Sequence, residues 1–126
     1  MQLQESGEMY LETIYTLTRE RASVRSIDVC EHMGFSKPSV SRALSLLKKE
    51  GYVVTDENAY LSLTEEGLEV AEKIYRRHTM LTQFLTAIGV DHATATADAC
   101  KIEHAISDST FIAMKQYLDT HLSDKQ

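Results

Sequence analysis

Within "DACKIEHAISD", residues 98–108, a thiol, a carboxylate and an imidazole stand at Cys100, Glu103 and His104, offsets of zero, three and four. On a helix that turns roughly 100° per residue these side chains share one face. Gathered there, they could bind a metal ion, act in catalysis or simply be neighbours. His78 in "YRRHTM", and Met9 and Glu12 in "EMYLETIY", one helical turn apart on a single face, add further groups with ligand chemistry. Each also has a plain structural reading: Met9 as core, Cys100 as a small buried hydrophobe, His78 as a helix-surface residue and Glu103 as a solvated acid.

The chain that must position them has 126 residues, 43% of them hydrophobic and 25% charged, which suits one good core or two small ones. Its start, "MQLQESGEMY", lacks a basic segment followed by an apolar one. No apolar run approaches the roughly 18 residues of a membrane span. These features predict a cytoplasmic protein. Two cysteines, Cys30 and Cys100, are too few for a disulfide framework and suit free thiols in a reducing compartment.

Hydrophobic spacing predicts six helices and one hairpin. The first helix runs from Gln4 to about Arg19, with Met9, Ile14 and Leu17 near one side and Tyr10 and Leu11 widening the stripe. After a turn around Ala22–Arg25, Ser26 is the expected N-cap of a short helix carrying Ile27, Val29, Cys30 and Met33, stopped by Gly34. In "FSKPSVSRALSLLKKEGYV", Ser36 is the expected N-cap, Pro38 sits in the first turn, and Val40, Leu44 and Leu47 face inward until Gly51.

Two helices joined by a short turn read as a helix-turn-helix, the alternative being a polar helix face in an unrelated helical bundle. The second helix presents Ser36, Lys37, Ser39, Ser41 and Arg42 early on its solvent side, where a recognition helix meets base edges and phosphates. After Gly51 the period becomes alternating, with β-prone runs Tyr52–Thr55 and Tyr60–Leu63 around Asp56, Glu57 and Asn58. A two-stranded wing after a recognition helix makes a winged helix-turn-helix. Asp56 and Glu57 at its tip are poor phosphate contacts. The net charge of −6 conceals an asymmetry: residues 19–50 hold seven Lys/Arg against four acids, a net +3, leaving −9 elsewhere. Such a patch can bind phosphates if the acidic parts face away, or be an ordinary solvated face.

Thr64 is the expected cap of a long fourth helix, with Glu65 and Glu66 in its first turn and an apolar stripe of Val70, Ile74, Leu81, Phe84, Leu85 and Ile88 running to Gly89. Asp91 is the expected cap of a fifth helix, "HATATADACKIEHAI", and "DSTFIAMKQYLDTHL" is a sixth, before a frayed tail "SDKQ". The fold class expected is thus mainly α: a winged helix-turn-helix with a two-stranded β wing over residues 1–63, then an all-helical region over residues 64–126 suited to dimerisation. Without a Pro/Gly-rich linker, the boundary near Leu63 reads as a rigid junction.

The pieces "EMYLETIY", "SKPSVSRALSLLKKEGYV", "LSLTEEGLEVAEKIYRRH" and above all "DACKIEHAISD" together resemble the diphtheria toxin repressor and manganese transport regulator family of metal-activated bacterial repressors, over nearly the whole chain. The resemblance implies a homodimer in which metal joins the first helix to the dimerisation helices, and the loaded dimer binds double-stranded operator DNA of metal-uptake genes. The manganese members have Asp and Glu where this chain has Met9 and Cys100; the iron-responsive members have Met and Cys there, with the Glu and His that match Glu103 and His104. Soft thioether and thiolate donors favour Fe(II) over the harder Mn(II), so the resemblance implies Fe(II), with Mn(II) the alternative and Zn(II), Co(II) or Ni(II) able to substitute in vitro.

Two departures qualify this. The iron members' ancillary site uses the His matching His78 with a Glu and a His that align with Thr82 and Thr96 here, so that site is expected to be weakened, altered or absent. Glu12 and His78 match first-site ligands of the manganese members, which leaves room for a mixed second site with Glu103. The iron members also continue into an SH3-like domain, whereas this chain is expected to stop after its sixth helix, as the manganese members do. Ser36, Pro38 and Arg42 match base-contacting positions, although the family often has Gln at the last, and Lys37, Ser39 and Ser41 are secondary candidates. A metal-independent winged-helix regulator sensing through Cys100 is the other regulatory reading. With no glycine-rich phosphate loop and no nucleophile elbow, an enzyme is not expected.

Overall fold

A computed structural model of the chain describes the backbone of residues 5–124 and the side chains of residues 6–121. Within them run α1 (Glu5–Glu20), α2 (Ser26–Met33), α3 (Lys37–Lys49), β1 (Val53–Thr55), β2 (Leu61–Leu63), α4 (Glu65–Ala87), α5 (His92–Ile102) and α6 (Asp108–Asp124). The expected start of α1 at Gln4 lies outside the described residues. Two compact units divide the chain, Met1–Lys73 and Ile74–Gln126, the division falling inside α4.

The first unit is a winged helix-turn-helix. Leu11, Ile14 and Leu17 of α1, Val29 and Cys30 of α2, and Val40, Leu44 and Leu47 of α3 share one core with Val53 and Leu61 of the wing. Each large aliphatic so buried contributes about 1.5–3 kcal/mol. The Ser36 hydroxyl accepts from the Ser39 amide at 3.3 Å and caps α3, with Pro38 in the first turn. Gly34, with φ 73°, closes α2 in the left-handed conformation that suits glycine.

At the N-terminus of α2 the expectation is corrected. Arg25, not Ser26, is the N-cap residue, because the Asp28 carboxylate reaches back to accept from the Arg25 amide at 2.8 Å. An acid at the third helical position does there what a capping serine would have done. Ile27, expected to face inward, is 41% exposed.

The wing strands pair antiparallel in the register Val53↔Leu63, Val54↔Ser62 and Thr55↔Leu61. Tyr52 and Tyr60 fall just outside the strands. The Leu61 amide also donates to the Val24 carbonyl at 2.7 Å, which ties the wing to the segment leading into α2. At the wing tip the Asp56 carboxylate accepts from the amides of Asn58 and Tyr60, and Ala59 is driven to φ 66°. A side chain in that region is strained, so Ala59→Gly should stabilise the protein by about 1 kcal/mol or somewhat less. Thermal denaturation checks this; an unchanged or lower midpoint would show that the loop is not strained.

The second unit holds a smaller core of Met80, Leu81, Ala99 and Leu118, with Phe84, Ile102, Ile106, Phe111 and Met114 packed on it. Asp91 caps α5 by accepting from the Thr94 amide at 3.0 Å, and these hydrogen bonds hold its carboxyl below the usual carboxylate range. Ile88, expected on the apolar stripe, is 61% exposed because α4 stops at Ala87 and the chain turns at Gly89. Ser123 and Asp124, expected to fray, belong to α6, while Lys125 and Gln126 lie outside the described residues.

Candidate metal centre

The second unit gathers three of the chemically capable side chains. Glu103 is fully buried, an expensive place for a carboxylate unless it is paired. Its Oε2 lies 2.8 Å from Nδ1 of His78 on α4, and its Oε1 lies 3.3 Å from Nε2 of His104. The His104 side chain is 1% exposed and that of His78 is 26% exposed. A carboxylate between two imidazoles, one of them closed off and the other reachable from solvent, provides hard and borderline donors suited to a first-row divalent cation.

The backbone differs from the expected continuous fifth helix. α5 ends at Ile102, and Glu103 and His104 occupy the turn beyond it. Glu103 keeps right-handed helical angles, φ −57° and ψ −25°, and its amide still bonds to the Ala99 carbonyl at 2.9 Å. The turn closes where the Ala105 amide bonds to the Ile102 carbonyl at 2.8 Å, a tighter three-residue step. Helical spacing therefore still relates Cys100 to Glu103, but the two strongest ligand candidates sit on a turn.

That turn is held by Arg77, which sequence reasoning had not singled out. Only 7% exposed, it donates from Nη1 to the carbonyls of Glu103 at 3.2 Å and Ile106 at 2.9 Å. Its Nη2 pairs with the Asp108 carboxylate, and its guanidinium carbon lies 5.9 Å from the Phe111 ring centre. A signal was present: Ile74, Arg77 and Leu81 are spaced as one buried helical stripe, so a cation there requires buried partners.

Cys100 is exposed on α5. Thr82 and Thr96 are half-buried, and each hydroxyl is enclosed without a hydrogen-bond partner among the described residues. Neutral hydroxyls are weak ligands for such ions. In the first unit, Met9 and Glu12 are half-buried one turn apart on α1. Ser36, Lys37, Pro38, Ser41 and Arg42 are exposed, while Ser39 is half-buried and accepts a 2.9 Å hydrogen bond from the Ser36 hydroxyl. Cys30 is buried, as its place among the apolar positions of α2 predicts, and His32 is exposed.

Comparison with known families matches both units. A model described as the iron dependent repressor N-terminal DNA binding domain covers residues 2–60, and one described as the iron dependent repressor metal binding and dimerisation domain covers residues 64–125. The chain belongs to the iron-dependent repressor family. This family member is 31% identical, over 93% of its own length and 95% of the relative's, to an uncharacterised helix-turn-helix-type transcriptional regulator of Methanocaldococcus jannaschii. Among solved structures it is similar to the manganese regulator SloR, with TM-score 0.79 and 28% identity over 94% of this chain and 55% of that one. It is likewise similar to a manganese-dependent transcriptional repressor in complex with manganese, with TM-score 0.81 and 28% identity over 90% of this chain and 52% of the other. The family member thus spans about half the length of those two structures. Its family consists of metal-dependent DNA-binding transcriptional repressors, not enzymes. No helix among the described residues is long and apolar enough to cross a membrane.

Proposed function

We propose that this chain is a cytoplasmic, metal-activated repressor that binds operator DNA of metal-uptake genes as a homodimer, with Fe(II) as its physiological activator. The buried Glu103 carboxylate between His78 and His104, in the unit that matches the metal-binding model, carries this reading. Residues 1–63 are assigned to DNA binding and residues 64–126 to metal binding and dimerisation. The ligand groups are Glu103, His104 and Cys100 with Met9 for the activating ion, and Glu12, His78 and Glu103 for a mixed second site.

A bound cation supplies positive charge at the Glu103 carboxylate and couples ligand-bearing segments to one another. The chain's residues do the rest. In this reading, joining the first helix to the dimerisation helices through an ion would set the separation of the two recognition helices in the dimer, and DNA affinity would rise only when that separation suits successive major grooves. By reciprocity, operator DNA raises metal affinity by the same factor.

The choice of ion depends on donor softness. Met9 and Cys100 favour Fe(II). A manganese-responsive reading is favoured by a different observation: the Glu103 carboxylate has an imidazole at each oxygen, His78 at one and His104 at the other, whereas Cys100 is exposed. Anaerobic competition titrations of Fe(II) and Mn(II) into wild type and Cys100→Glu separate the two. Under the Fe(II) reading the variant shifts preference toward Mn(II); an unchanged preference would remove Cys100 from the site.

Ser36, Lys37, Pro38, Ser39, Ser41 and Arg42 of the recognition helix are assigned to DNA. Ser36 and Ser39 have a capping duty as well, so exposed Arg42 is the main contact. Arg42→Ala should weaken operator binding by about 1–3 kcal/mol if the guanidinium reads a base, or lower the slope of log affinity against log salt by roughly one if it holds a phosphate. Fluorescence anisotropy at several salt concentrations distinguishes these outcomes, and binding unchanged at all of them would exclude the assignment.

A further inference from the structure

We propose that Arg77 is a positioning residue for the metal-binding turn: anchored by Asp108, its guanidinium fixes the backbone of Glu103 and so aims the Glu103 and His104 side chains. This inference rests on the reading of those two side chains as metal ligands.

An arginine nine-tenths buried is costly unless its donors are used. Arg77 uses its Nη1 and Nη2 donors on one short segment, while its Nε has no hydrogen-bond partner among the described residues. A helix leaves its last carbonyls without intrahelical partners, and Arg77 reaches from α4 to the Glu103 and Ile106 carbonyls just past the end of α5. His78, the next residue on α4, bonds the Glu103 carboxylate at 2.8 Å. Consecutive residues of one helix therefore grip Glu103 at both ends, one by its carbonyl and the other by its side chain. That arrangement leaves little freedom in where the carboxylate points. Metal sites need such support, since ligand groups displaced by more than about half an ångström lose affinity.

The two members of the ion pair differ in setting. The Arg77 side chain is 9% exposed and that of Asp108 is 67% exposed. Asp108 thus sits at the solvent end and can be changed without leaving a cavity in the core. Its carboxylate orients the planar fork so that Nη1 faces the two carbonyls. Lysine cannot reproduce this, because its ammonium is a point charge without the fork.

The experiment uses Co(II) alone as a spectroscopic probe, titrated anaerobically into the metal-free full chain, with wild type, Arg77→Lys, Asp108→Asn and Asp108→Glu compared. Ligand-field bands report affinity and geometry; thermal unfolding of the metal-free proteins reports structure. Asp108→Asn and Arg77→Lys are expected to bind Co(II) roughly 10–100-fold more weakly with altered band intensities, the range typical of lost supporting contacts. Asp108→Glu should recover much of the loss. The metal-free Asp108→Asn protein should unfold within a few degrees of wild type. A purely structural role would shift unfolding with and without Co(II) equally and leave the spectrum alone, which would overturn the proposal. If Arg77→Lys does not fold, the Asp108 pair decides. Absence of Co(II) bands from wild type itself would overturn the ligand reading, and the positioning role with it.

Discussion

Glu103→Gln is expected to lower affinity for Fe(II) or Mn(II) by on the order of 100-fold or more while leaving the metal-free protein at least as stable as wild type. Losing a supporting contact alone costs about 10–100-fold in metal affinity, and losing the anionic ligand itself should cost no less. The opposite sign for the metal-free state follows from burial. Glu103 is fully buried, and an ionised carboxylate there carries a desolvation penalty that a neutral amide of the same shape avoids. Gln retains an oxygen and an NH2 that can meet His78 and His104, so no polar group need be stranded. Competition titration against a chelator measures the first effect and thermal unfolding the second. Unchanged metal affinity would remove Glu103 from the site; a large loss of metal-free stability would make it a structural ion pair instead.

Gly67→Ala has the largest effect expected on stability. Gly67 is in the first turn of α4, and a Cβ placed on it would stand 2.1 Å from the Tyr52 carbonyl oxygen and 3.4 Å from the Leu63 side chain. That carbonyl accepts from the Thr64 amide at 3.1 Å, and the Thr64 hydroxyl in turn donates to the Gly51 carbonyl at 2.6 Å and accepts from the Gly67 amide at 3.1 Å. Thr64 therefore stitches the start of α4 to the turn between α3 and β1. Any Cβ forces that stitch apart.

Helix propensity would favour alanine by up to about 1 kcal/mol. Overpacking against backbone typically costs about 1–3 kcal/mol and a displaced hydrogen bond about 1 more. The net loss should be roughly 1–3 kcal/mol, or a fall in unfolding temperature on the order of 10 °C. A midpoint within a degree or two of wild type would mean that the wing and α4 can separate at little cost.

Much of the fold is legible in local sequence because local chemistry decides it. Ser36, Thr64 and Asp91 each precede a helix and cap it through a side-chain oxygen, and Gly34 takes the left-handed turn its position requires. The apolar stripe Val40, Leu44 and Leu47 is buried as its spacing predicts. At α2 a serine and an acid compete to cap the same start, and the geometry that lets Asp28 reach the Arg25 amide is not visible in composition. The end of α5 depended on a partner outside it. Nothing in "DACKIEHAISD" says that α4 will supply donors for the carbonyls of Glu103 and Ile106.

The candidate site was readable in part for the same reason. Cys100, Glu103 and His104 share a local period, and the structure joins His78 to Glu103, 25 positions apart in the sequence. Arg77 is not legible locally, because an "RRH" run has the composition of a solvated face and only its phase with Ile74 and Leu81 marks it as buried. Residue chemistry and helical spacing bring in His78 and Glu12 as further ligand groups, and the family resemblance is what implies a mixed second site with Glu103.

The most direct test of metal activation is anaerobic fluorescence anisotropy on a duplex selected from a random pool with the metal-loaded protein, with Fe(II) and then Mn(II) titrated into metal-free wild type and Glu103→Gln. Wild type should bind the duplex at least tenfold more tightly with metal, about 1.4 kcal/mol of coupling, while the variant should not respond at the same metal concentrations. Equal affinity of wild type with and without either ion would contradict metal activation.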